Sequence, residues 1–170
     1  IELSRQALHR VLLIVRDTGD PIGEAYALYS LGVVRHREGR LGNAETTQLE
    51  ALALATRVGE KLLEGQALYA LGAIALAKGE AAAAANRLVE ARRVFHNLGS
   101  ALWHAKTLIL MAQLADTVDQ ARQHVEQATR LLDGVDSKES KRLLAQLTVS
   151  APPPRTLGRG TDTELPNLSS

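Results

Sequence analysis

Apolar residues recur at helical spacing along almost the whole chain, in stripes that come in pairs divided by short breaks. Glu2 to Asp17 carry Leu8, Val11, Leu12 and Val15 on one side of a helix. Thr18-Gly19-Asp20-Pro21 then ends that helix and starts the next, glycine serving as a C-terminal cap and proline fitting a first turn. Further stripes predict helices from about Ile22 to Glu38, Asn43 to Val58, Leu62 to Lys78, Ala81 to Asn97, Leu102 to Ala115 and Asp119 to Leu132. A last short amphipathic helix, Ser137 to Leu147, sets Leu143, Leu144 and Leu147 on one side and Lys138, Lys141 and Arg142 on the other.

The pairs repeat. Gly19, Gly59 and Gly99 stand forty residues apart, and in that register Ala27 to Gly32 (ALYSLG) falls on Ala67 to Gly72 (ALYALG). Gly39 falls on Gly79, and Ala44 and Ala51 fall on Ala84 and Ala91. A third copy keeps Leu108 and Met111 but has Ala112 where the others have glycine, and its turn, Asp116 to Asp119, is three residues shorter and lacks glycine. A fixed period with two helices per unit predicts an all-α fold, a right-handed superhelical solenoid of antiparallel helix pairs, about seven to eight helices in all. The organisation expected is a repeat domain over 1–148. It comprises a half repeat at 1–18, repeats at 19–58, 59–98 and 99–134, and a capping helix at 136–148.

Composition narrows the picture. Apolar residues make up 45% and aromatics only 3%, which suits close-packed helices with small side chains at their crossings. Twenty Lys and Arg against nineteen Asp and Glu leave +1, no electrostatic footprint for nucleic acid or an anionic membrane. Without cysteine there is no disulfide, thiolate catalysis or cysteine metal site, and the default location is cytoplasmic. No apolar run reaches the roughly 18 residues of a spanning helix. From Ala151 the chain turns to Pro, Gly, Ser and Thr, with Pro152, Pro153, Pro154 and Pro166, predicting a flexible tail over 149–170. The chain opens on Ile1, already in helical periodicity, as expected of a piece of a longer protein. The first helix then matches the second half of a repeat. Its outer side should be apolar, a bare face through which a homodimer could form.

On Leu28, Leu31, Gly32, Gly39, Ala44 and Ala51, again on Leu68, Leu71, Gly72, Gly79, Ala84 and Ala91, and less fully on Leu108, Met111, Ala112, Ala121 and Ala128, the chain resembles the tetratricopeptide repeat. The resemblance covers about Ser4 to Leu147. Two departures stand out: the period is forty rather than thirty-four, and leucine replaces the aromatic that opens the motif. The long form, with EAYALYSLG, EGRLGNAE and LDGVDSKESKRLLAQL, is similar to the C-terminal repeats of actinobacterial SARP and AfsR-like regulators and to those of large LuxR-type ATPase regulators. That resemblance implies a regulatory module attached to DNA-binding and nucleotide-binding domains, neither of which lies in this stretch.

Catalytic chemistry finds no footing. His9, His36, His96, His104 and His124 form no HExxH pattern, and no GxxxxGK occurs, so no catalytic residue, metal site or cofactor is expected. His96 and His104 straddle the Gly99 junction, and Arg35, His36, Arg37 and Arg40 form a dense basic turn; both read first as solvated helix ends. The informative constellation is geometric. The resemblance implies a concave groove lined by the first helix of each pair. In this chain that is Tyr26, Tyr29, Val33, His36 and Arg37, then Gln66, Tyr69, Ala73 and Leu76, then Lys106, Ile109, Gln113 and Asp116. All three tyrosines fall there, and a tyrosine offers an apolar face with a polar tip. Tyr29 and Tyr69 could equally pack between neighbouring helices, and Trp103 reads as an inter-repeat contact. The function expected is a non-catalytic protein-interaction module, a fragment of a bacterial transcriptional regulator, binding a protein or peptide in the groove. The alternative is a sensing domain that takes a small molecule or signalling peptide there. The Pro-rich tail of the same or a neighbouring molecule is a further candidate occupant.

Overall fold

A computed structural model describes residues 2–150, with side chains described for 5–146. Among the described residues there are eight helices and no strand: α1 (Glu2–Asp17), α2 (Pro21–Arg37), α3 (Leu41–Val58), α4 (Lys61–Lys78), α5 (Ala81–Asn97), α6 (Ala101–Gln113), α7 (Val118–Asp133) and α8 (Lys138–Ser150). The all-α solenoid is as the periodicity predicts, and most helix ends fall within a residue or two of those expected. The Pro-rich segment from residue 151 onward, and with it the idea that it fills the groove, lies outside the described residues. Residues 149 and 150, assigned to the tail from sequence, belong to α8.

Local chemistry accounts for the breaks. Asp20 caps α2, its carboxylate accepting from the Gly23 N–H at 2.9 Å, and Pro21 occupies a first-turn position where a missing N–H costs nothing. Gly59 and Gly79 end α3 and α4 at φ +78°, a left-handed conformation that side chains resist, and their N–H groups close the last turns. The third pair lacks this device. There α6 stops at Gln113 with Leu114 in ordinary helical conformation, two residues before the expected end, and Thr117 caps α7 by accepting from Gln120 N–H at 3.2 Å.

Each helix packs on the next, α1 to α8 in order. In addition α2 touches α4 and α4 touches α6, whereas no comparable contact joins α3 to α5 or α5 to α7. The first helices of the pairs therefore form the inner, concave layer and the second helices the outer one. Small residues permit the crossings: Ala25, Ala44, Ala51, Ala55, Ala67, Ala84, Ala91, Ala105 and Ala128 are all at 0% exposure. The core runs as a chain of clusters. Leu12, Leu28, Leu31, Leu54 and Leu63 lie at one end, Leu68, Ala91 and Phe95 in the middle, and Leu108, Ala128 and Leu132 under Leu143 and Leu144 of α8 at the other.

The outer side of α1 is apolar, as expected of half a repeat: Val11, Leu13 and Ile14 are 42%, 68% and 61% exposed while Leu12 is buried. On α8, Leu143 and Leu144 face the last pair while Lys138, Lys141 and Arg142 are exposed. The side chain of Leu147 lies outside the described residues.

Candidate functional site

The concave layer carries the residues singled out from the sequence. None of Tyr26, Tyr29, Val33, His36, Arg37, Gln66, Tyr69, Ala73, Leu76, Lys106, Ile109, Gln113 and Asp116 is buried. Tyr26, Arg37, Gln113 and Asp116 are exposed and the rest half-buried. Depth separates the tyrosines. Tyr26 is 40% exposed, whereas Tyr29 packs against the first core cluster and Tyr69 against the middle one. Alanine at Tyr69 would therefore remove packing, whereas alanine at Tyr26 would trim a largely exposed side chain.

Tyr69 meets the edge of Trp103 with ring centroids 5.5 Å apart at 75°, and Trp103 stacks on Phe95 at 5.5 Å and 18°. Trp103 is thus an inter-repeat contact, joining α6 to both helices of the preceding pair. The Lys106 ammonium sits over its ring, 4.2 Å from the centroid, and forms an ion pair with Glu139 of α8. Glu139 was not among the residues read from sequence. The helical pattern marks α8 as a cap, and only its packing brings the first turn to Lys106.

Electrostatics show that these groups share one space. Burial pushes the Tyr29 phenol up to about 12, with Tyr69 and Glu139 adding to the rise and Arg37 opposing it. Burial likewise raises Tyr69, with Glu139 adding. Arg37 bears on Tyr29, and Glu139, itself paired with Lys106, bears on both phenols.

The basic turn divides. Arg35 donates to the Thr47 hydroxyl of α3, and Thr47 in turn donates to the Asn43 carbonyl at 2.8 Å. Arg40 Nε lies 3.6 Å from Glu38, whose carboxylate also meets Arg5 of α1 at 3.5 Å. What remains for the concave side is Arg37 and His36, whose imidazole is held below its ordinary 6.5 by burial and by Arg37. Among the described residues no group of three or more His, Cys, Asp and Glu is arranged to hold a metal ion, and no helix is long and apolar enough to cross a membrane. A shallow cavity of about 240 Å³ opens at the glycine-free third turn, between Met111, Leu114, Asp116 and His124. Of the concave residues it includes Asp116 alone.

No curated protein matches the chain. Residues 23–97, spanning α2 to α5, match the family model of the tetratricopeptide repeat, and the all-α solenoid is like those such repeats build; repeats of that family generally mediate protein–protein interaction.

Proposed function

We propose that the chain is a non-catalytic protein-interaction module whose concave face, from Tyr26 and Arg37 to Lys106 and Gln113, receives a protein segment or peptide. The observation that carries this reading is the exposed Tyr26 beside a half-buried pair, Tyr29 and Tyr69, with Arg37 acting on Tyr29 and Glu139 on both phenols. Aromatic anchors with satisfied depth and a polar rim are what such recognition uses. Calorimetry against peptide and metabolite panels tests it. The expected result is a peptide ligand whose affinity falls in Tyr26→Ala with the melting temperature kept. A ligand bound equally well by wild type, Tyr26→Ala and Arg37→Ala would overturn the groove assignment, and a metabolite as sole ligand would favour a sensing domain instead.

The module belongs, in this reading, to a bacterial transcriptional regulator of the SARP or AfsR-like kind, on the strength of the forty-residue period and the terminal LDGVDSKESKRLLAQL stretch. A winged-helix or nucleotide-binding domain encoded with this chain is the expected finding in the parent gene. The exposed Val11, Leu13 and Ile14 support self-association through α1, which sedimentation of wild type against Leu13→Glu would test.

A further inference from the structure

Where α5 turns into α6, His96 and His104 meet edge to face, ring centroids 5.6 Å apart at 80°. Arg92 lies one helical turn before His96 on the same side of α5. Its charge reaches His104 on α6 and His124 on α7. The junction of the second and third repeats thus gathers Arg92 and His96 from α5, His104 from α6 and His124 from α7. The charges that bear on His104 and His124 there, from His96 and Arg92, are all of one sign.

We infer that the His96–His104 pair is an acid-sensitive hinge between the second and third repeats: with His104 neutral the two rings pack across α5 and α6, and with His104 protonated close to Arg92 the junction opens. Solvation favours the same outcome, because half-buried His104 is held below its ordinary 6.5 first by burial, then by His96 and Arg92. With the folded value lowered, stability at the junction is complete above about 6.5 and is lost as pH falls through the lowered value. Each unit of lowering favours the opened form on protonation by about tenfold. Opening has a mechanical consequence. The same junction carries the Phe95 stack and the Tyr69 edge contact on Trp103, so parting α5 from α6 uncovers the indole and breaks the wall of the concave face.

Trp103 is the single tryptophan, which makes the test direct. In the full chain, acrylamide quenching and the emission maximum of Trp103 are followed from neutral to mildly acidic pH, with helicity monitored by circular dichroism. Wild type should show a several-fold rise in quenching constant and a red shift while helicity is kept. His104→Gln and the His96→Gln/His104→Gln double variant should lose most of the change, and His124→Gln should retain it. A wild-type indole whose accessibility does not change with acid would overturn the hinge. So would a rise that persists unchanged in the double variant, or one that appears only as total helicity collapses.

Discussion

Gly65 and Phe95 interlock: a Cβ built on Gly65 would fall 2.7 Å from Cε1 of Phe95, closer than carbon atoms approach. In the preceding repeat the corresponding positions are Ala25 and Ala55, both buried. Bulk has been moved from one helix to its partner while the crossing is kept. Gly65→Ala should therefore cost about 1–3 kcal/mol by overpacking. Phe95→Ala should cost about 3–5 kcal/mol through the cavity it leaves. The double variant, which recreates the alanine pair, should be more stable than the sum of the single losses allows. Thermal and denaturant melts of the three proteins would decide it, and simple additivity would show that the two sites are uncoupled.

Gln48 plays the same part toward Gly32 that Leu88 plays toward Gly72. It is fully buried, and its Nε2 donates to the Tyr29 carbonyl at 2.9 Å, while Oε1 has no hydrogen-bond partner among the described residues. Leucine at the homologous position shows that an apolar side chain of similar volume fits the repeat. Gln48→Leu should thus lie within about 1 kcal/mol of wild type or be more stable, since it removes an unsatisfied buried acceptor, whereas Gln48→Ala should cost about 2 kcal/mol or more. Chemical denaturation gives both values; a leucine variant as damaged as the alanine one would mean that the amide, not the volume, holds α2 to α3.

Trp103 should matter far more to stability than the charges around it. Trp103→Ala deletes contacts with Phe95 and Tyr69 and should cost about 3 kcal/mol. Glu139→Gln breaks an ion pair in which the carboxylate is 52% exposed, so its effect should stay near 0.5 kcal/mol, an approximate figure for screened pairs. A double-mutant cycle between Lys106 and Glu139 measures the pair directly. A coupling several-fold above that value would mark α8 as clasped to the concave face by charge rather than by Leu143 and Leu144.

Alkaline titration should single out Tyr29. Its phenol, ordinarily near 10, is pushed up to about 12 by burial, so the unfolded chain loses this proton first. Stability is then fully present below 10 and is lost as pH rises from there through about 12. Tyr29→Phe should flatten that part of the melting profile, and the tyrosinate absorbance of wild type should show delayed ionisation. An unchanged alkaline limb in the variant would assign the loss to Tyr69 or to other groups.

Much of the candidate site could be read in advance because the repeat puts Tyr29 and Tyr69 forty residues apart on the same face. Their depth could not. A helical period says that a side chain points inward; it does not say how much room the neighbouring element leaves. Tyr69 is half-buried because Trp103, thirty-four residues later, leans on it, and Tyr26 is exposed although it shares α2 with the half-buried Tyr29. Likewise the run Arg35 to Arg40 looks uniform, yet Thr47 takes Arg35 and Glu38 takes Arg40.

From sequence alone came the helices, their order and their repeat, because spacing, glycine turns and the Asp20 cap act over a few residues and carry their signal locally. Only the tertiary structure decided that Phe95 and Gly65 share one volume, that Glu139 of the last helix reaches Lys106, and that His96 faces His104. Those relations depend on how far one helix stands from the next, a distance set by the size of side chains on both, which no single stretch of the chain contains.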